Sequence, residues 1–153
     1  MPLFEDFLPW EPDQVTDLER LIGTALPVDL KEFLLTVGSG SFEGMRVVPG
    51  PDQNGLLGDL YSLEEAIEDR NTLGGFAAVV PRSVLIAGGG EGGGLCVGLK
   101  GDQKGRVFWA NYDQAEEDGL YEEDPPARSE RILHELFPTW REFVDDLPKW
   151  KVV

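Results

Sequence analysis

Two different spacings of apolar residues run along this chain, a helical one near both ends and a strand-like one between them. Leu18, Leu21 and Ile22 recur at helical spacing, and Gly23 then supplies a residue that tolerates a left-handed helix cap. Leu26-Pro27 turns the chain. Pro27 suits the first turn of a second helix, where its missing N–H costs nothing. Leu30, Phe33, Leu34 and Val37 share one face of that helix, which ends at Gly38. Ser62-Leu63-Glu64-Glu65 has capping-box spacing and predicts a third helix reaching about Arg70, with Glu64, Glu65, Glu68 and Asp69 on a solvated face. Thr139-Trp140-Arg141-Glu142 is a second such box, opening a closing helix that carries Trp140, Phe143, Val144 and Leu147.

Between these helices the pattern favours strands. Met45 to Val48 reads as a short one, followed by a Pro/Gly-rich loop from Pro49 to Gly58. Ala77 to Val80, Val84 to Ala87, Leu95 to Leu99 and Arg106 to Tyr112 are β-rich runs separated by glycine, as antiparallel strands would be. Val107, Phe108 and Trp109 are consecutive, which predicts a strand that is buried on both faces or central. Asp113 to Pro126 is acidic, ends in two prolines and reads as an exposed loop. Phe4, Phe7, Leu8 and Trp10 suggest an N-terminal segment packed on the body, while Trp10 and Trp150 are expected to be half exposed. The sum is one α+β domain over residues 1–153, with an N-terminal helix pair and further short helices packed on an antiparallel β-sheet.

Several of these pieces resemble a known family in the same order. Glu19-x-x-Ile22-Gly23-x-x-Leu26-Pro27-x-Asp29-Leu30-Lys31-x-Phe33-Leu34 is similar to the opening signature of the SUKH superfamily, the Smi/Knr-type proteins. Arg82 to Leu99 resembles its strand, glycine-rich turn and strand. Gly105 to Trp109 resembles its Gly-x-Val-aromatic strand, and Phe137 to Leu147 its closing helix. The likeness spans roughly residues 13 to 147. It implies the α+β fold of that family and, for function, bacterial immunity proteins that bind and neutralise a toxin domain, often a nuclease.

Charge narrows the partners. Twenty-nine acids against 13 bases give a net charge of −16. Phosphate neutralisation needs surplus Lys and Arg, so nucleic acid is not the expected partner. The same field attracts a basic protein and speeds its encounter. The single cysteine, Cys96, rules out an internal disulfide framework and suits a reducing compartment. The first ten residues lack a basic n-region, and no apolar run approaches the roughly 20 residues that span a bilayer, so the expected location is cytoplasmic.

Candidate chemistry thins out on inspection. Gly88-Gly89-Gly90-Glu91-Gly92-Gly93-Gly94 lacks the Lys and Ser/Thr of a phosphate loop and puts a carboxylate where a phosphate would sit; it reads as a flexible hairpin turn. His134 is the only histidine, so a Cys96–His134 dyad is the one nucleophilic pairing to check. Cys96 itself has the setting of a small buried hydrophobe. One Cys and one His do not make a zinc site, and the register of a calcium loop fails around Gly119. No catalytic residue, cofactor or metal is expected.

What remains is the acidic segment. Asp113, Glu116, Glu117, Asp118, Glu122 and Glu123 surround Tyr121, with no local counter-charge, and Glu91 adds a carboxylate in the glycine run. An acid rim with an aromatic anchor is a composition that suits an interface for a basic protein. The leading expectation is a non-enzymatic binding protein acting on a basic protein partner, such as a cognate toxin domain. An intracellular regulatory or scaffold protein using the same surface is the alternative, and a carboxylate hydrolase a third reading. Exposed sheet edges leave room for a homodimer.

Overall fold

The computed structural model describes residues 3–50, 54–72 and 74–153. Helices α1 (Pro12–Ile22) and α2 (Val28–Thr36) come first. They are followed by β1 (Gly40–Val47), β2 (Leu56–Leu60), α3 (Leu63–Asn71), β3 (Val84–Glu91), β4 (Gly93–Gly98) and β5 (Val107–Asn111). A short helix α4 (Tyr112–Glu117), strand β6 (Leu133–Phe137) and helix α5 (Trp140–Asp146) complete the chain. The six strands form one antiparallel sheet in the order β1-β2-β3-β4-β5-β6.

Polar side chains fix the helix corner. Gly23 ends α1 at φ 78°, with its N–H on the Glu19 carbonyl at 2.9 Å. The Glu19 carboxylate then accepts the Leu26 N–H at 2.8 Å, holding the turn that leads into Pro27. On α2, Asp29 Oδ2 accepts the Arg141 N–H at 3.0 Å and so ties the start of α5 to the helix pair. Phe33 and Trp140 meet edge-on at 5.5 Å above that link. The capping boxes at Ser62 and Thr139 also form: Ser62 Oγ accepts the Glu65 N–H, and Thr139 Oγ1 accepts the Glu142 N–H.

The sheet is covered on both faces, and the alternation along its central strands shows it. Leu85, Leu95, Val97, Val107 and Trp109 point into a large core shared with α1, α2, α3 and α5. Val84, Cys96, Phe108 and Ala110 point the other way, into a second cluster with Val79, Ala115, Leu120 and Ile132. Consecutive buried residues at 107–109 are therefore the mark of a strand with two covered faces, as the pattern predicts.

Several expectations change. Ala77 to Val80 is not a strand but lies in a 3₁₀ turn over Phe76–Val79. Its carbonyls are taken by other groups: Arg128 Nη1 donates to Ala77 and Val80, and the Ser129 N–H to Val79. The loop placed over Pro49 to Gly58 ends early, because Leu56 already begins β2; residues 51–53 of it lie outside the described residues. The glycine run is not a flexible turn. Only Gly92 turns, and the glycines on either side belong to β3 and β4. They are strand residues because backbone occupies the space a side chain needs: a Cβ on Gly90 would meet the Leu56 carbonyl, and one on Gly93 the Ala110 carbonyl. Trp10 and Trp150 are buried, each only 6% exposed. Trp10 Nε1 donates to Ser39 Oγ at 3.1 Å, and Trp150 stacks on Phe137 and meets Phe143 edge-on. Phe4 and Phe7 pack as expected against Phe33 and Phe42, while Leu8 faces solvent.

At one edge of the sheet the C-terminal residues add to β1, with the Val47 N–H on the Lys151 carbonyl and the Val153 N–H on that of Met45. This pairing satisfies an otherwise open strand edge.

Two stability predictions follow from the packing. Gly90→Ala is expected to cost about 1–3 kcal/mol, as overpacking does, whereas Gly74→Ala, with nothing within 4 Å of its Cβ, stays within about 0.5 kcal/mol of the parent. Denaturant unfolding separates them, and equal values would return the glycine run to the status of a flexible turn. Glu19→Ala leaves the partly buried Leu26 N–H without its acceptor and is expected to cost about 1–3 kcal/mol in the same measurement.

Candidate partner-binding surface

The acidic segment expected as a loop is instead a folded cover for the second core. Asn111, buried at the end of β5, stops the strand by turning its side chain to accept the Gln114 N–H at 3.0 Å, which starts α4. Ala115 and Leu120 anchor the segment from below. Since those two positions face the sheet, Asp113, Glu116 and Glu117 are left on the outer side, and all three are exposed. Glu122, the last residue of the 3₁₀ turn Leu120–Glu122, and Glu123 after it are both exposed.

Glu91 joins this region through the backbone. The Tyr112 N–H donates to the Gly92 carbonyl at 3.0 Å, so the β3–β4 hairpin tip abuts the first turn of α4. Asp118 differs from expectation. It turns inward, accepting from Gln114 Nε2 at 2.9 Å and pairing with Arg131 at 3.2 Å, so the segment does have a local counter-charge. Tyr121 is half-buried, with its hydroxyl enclosed and without a hydrogen-bond partner among the described residues. Burial, then the neighbouring Tyr112 and Glu116, push its phenol up to about 12.

The exposed aromatic is Tyr112, at 38%. Its ring is the middle of a row, 5.9 Å from Phe76 and 5.8 Å from Tyr121. The Tyr112 phenol donates to Glu116, and this bond together with the Glu116 charge raises its pKa. Phe76 continues the row into an open groove of about 240 Å³, whose walls include Tyr61, Asp69 and Thr72 and whose floor includes Gly93 and Gly94.

Sequence reasoning places Asp69 on a solvated face and passes over Tyr61, Phe76 and Tyr112. The structure groups them. Tyr61 bonds to Asp69, and its hydroxyl lies over Gly89, where a Cβ would collide with it at 2.5 Å. Burial raises the pKa of Asp69, assisted by Glu68 and Glu65 and opposed by the Tyr61 bond. Burial also raises Asp59, beside Glu65 and Asp69, although the Gly89 N–H works against it. Tyr61 is pushed well above the usual phenol range by burial and by Asp69, Asp59 and Glu65. Strain between half-buried like charges is the electrostatic signature of this groove.

Other candidate chemistry is taken apart by the geometry. Cys96 is fully buried in the second core, and burial drives its thiol far above the usual range. His134 sits on β6, cross-strand from Trp109, which faces the first core. Directly opposed residues share a face, so the thiol and the imidazole lie on opposite sides of the sheet and form no dyad. Among the described residues no three His, Cys, Asp or Glu side chains converge as a metal site requires, and no helix is long and apolar enough to cross a membrane.

Asp69 in the groove and Asp59 beside it carry a pH signature. Asp59 and Asp69 hold their protons more tightly in the folded chain than in the unfolded one. Their contribution therefore favours folding at acid pH and is lost as the pH rises through their raised folded values. Asp59→Asn keeps an acceptor for Gly89 and removes one charge. It is expected to raise Tm at pH 7 and to flatten the fall in Tm above the carboxylate range; a Tm at pH 7 that is unchanged or lower would contradict the assigned repulsion.

No curated protein gives a significant match to the chain. The model of the SMI1 / KNR4 family (SUKH-1) matches residues 9–146, nearly all of the helix-and-sheet body, and the chain belongs to that family.

Proposed function

We propose that this protein is a binding protein that neutralises a basic partner, a cognate toxin domain of nuclease type, in the cytoplasm of a bacterial cell. The observation that carries the proposal is the outward shelf of Asp113, Glu116 and Glu117 beside the exposed ring of Tyr112. A nuclease surface must be cationic to hold phosphate, and a shelf of fixed carboxylates complements it. Tyr112 supplies a large rigid contact with few rotamers to freeze, as interface anchors do. The net charge of −16 supports fast capture by long-range attraction. The resemblance to immunity proteins points the same way.

Roles divide between rim and centre. Glu116, Glu117, Glu122, Glu123 and Glu91 act in steering and orientation, since exposed charges contribute more to encounter than to residence. The Phe76–Tyr112–Tyr121 row and its groove supply the desolvated centre, where most binding free energy concentrates. Asp118 belongs to neither group; its bonds to Gln114 and Arg131 hold the shelf in shape.

The product of the neighbouring open reading frame is the partner to test, by pull-down and then by stopped-flow association. Reversing Asp113, Glu116 and Glu117 to Lys is expected to slow association about tenfold or more at low salt and to weaken its salt dependence, with Tm nearly unchanged. Tyr112→Ala is expected to act mainly on dissociation. If the charge-reversed protein binds with the parent's rate and salt slope, the shelf is not the contact.

A further inference from the structure

Among the described residues Arg20, Arg106, Arg131 and Lys149 each pair with a carboxylate. Three arginines clustered at one place do not. Arg70, on α3, donates Nη1 to the Val84 carbonyl at 2.9 Å and Nη2 to that of Arg82 at 3.0 Å. Arg82 returns Nη1 to the Arg70 carbonyl at 3.0 Å. Arg128 places Nη1 on the carbonyls of Ala77 and Val80, at 3.1 and 2.6 Å. Among the described residues none of the three forms an ion pair. Nearby acids are engaged elsewhere: Asp69 with Tyr61, and Glu130 with Ser83 at 3.4 Å. Burial and the two neighbouring guanidinium charges lower the pKa of Arg70, and burial and Arg82 lower that of Arg128. Guanidinium groups stay protonated regardless, so the cluster holds mutual repulsion that a bound anion would relieve.

Arg82 and Arg128, with Ala78, Pro125 and Pro126, line an open cavity of about 190 Å³. Both side chains spend Nη1 on backbone, and Nε and Nη2 of each have no hydrogen-bond partner among the described residues. That free edge of the guanidinium is a two-pronged donor for an oxyanion. We infer that this cavity binds a phosphate group between the Arg82 and Arg128 forks. A carboxylate has two oxygens and is satisfied by one fork, whereas a tetrahedral phosphate presents acceptors to both. The negative charge of the whole chain does not prevent this, because screening limits its reach to about 8 Å at physiological salt. The proline wall bounds the cavity and offers no N–H of its own, which leaves recognition to the two arginines.

The inference is independent of the toxin partner and is tested on the full chain alone. Inorganic phosphate is titrated at constant ionic strength, following Tm and the arginine Nε resonances. A saturable rise in Tm is expected, with shifts of the Arg82 and Arg128 signals; acetate at the same ionic strength does neither. R82Q/R128Q is expected to weaken binding about tenfold or more, as loss of charged hydrogen bonds does, and Arg131→Gln to leave it unchanged. Because Arg128 also holds two carbonyls, Arg82→Lys supplies a variant that keeps the charge and loses the fork, and it too is expected to bind more weakly. A parallel titration with glycerol phosphate identifies the source: tighter binding than inorganic phosphate assigns a phosphomonoester, weaker binding the free anion. A response that fails to saturate, that acetate reproduces, or that survives in Arg82→Lys and in R82Q/R128Q overturns the site.

Discussion

Strands β4 and β5 are apolar on both faces, and a sheet built around them is stable only if both faces are covered. The helices α1, α2, α3 and α5 cover one side. The other side falls to the turn around Val79 and Val80 and to the segment after β5, which contributes Ala115, Leu120 and Ile132. Burial of those three decides the orientation of everything between them, and the carboxylates on the same turns are driven outward. The acidic shelf is thus a by-product of the way the second core is sealed, and its rigidity comes from that core.

A second, polar constraint acts at the helix corner. Glu19 and Asp29 each use a side-chain oxygen to accept a backbone N–H that the helix corner or the α5 terminus would otherwise leave without a partner. Both bonds link segments that are separate in the chain, Glu19 across the turn and Asp29 from α2 to α5. Charged residues stand in this otherwise apolar corner because they complete hydrogen bonds that no aliphatic residue can supply.

Helices with capping boxes and the two-faced strand were legible in the sequence because their signals are local. Ser62-Glu65 and Thr139-Glu142 carry their own start signals, and Val107-Phe108-Trp109 reports burial without any knowledge of neighbours. The misread elements depend on distant partners. The run Phe76–Val79 is β-rich in composition but forms a 3₁₀ turn, since its carbonyls bond to Arg128 and the Ser129 N–H, some fifty residues away. The glycine run looks like a turn because nothing local reveals that the β2 and β5 backbones press against it. In the candidate site the acids were visible by charge alone, yet the half-buried groups escaped notice. Asp59, Tyr61 and Asp69 meet only when α3 lies beside β2 and β3, and Tyr112 looked like the end of a strand, not the exposed ring of an aromatic row.

The groove beside that row has a floor made partly of Gly93 and Gly94, main chain with no side chains to rearrange. Such a floor cannot be altered by point substitution without disturbing the sheet beneath it, whereas Asp69 and Phe76 at its wall sit on short helical segments and present side chains that can be exchanged. Lineages of this protein that diverge in what they recognise would then do so by exchanging rim residues over a common base, so that new selectivity evolves without redesign of the scaffold.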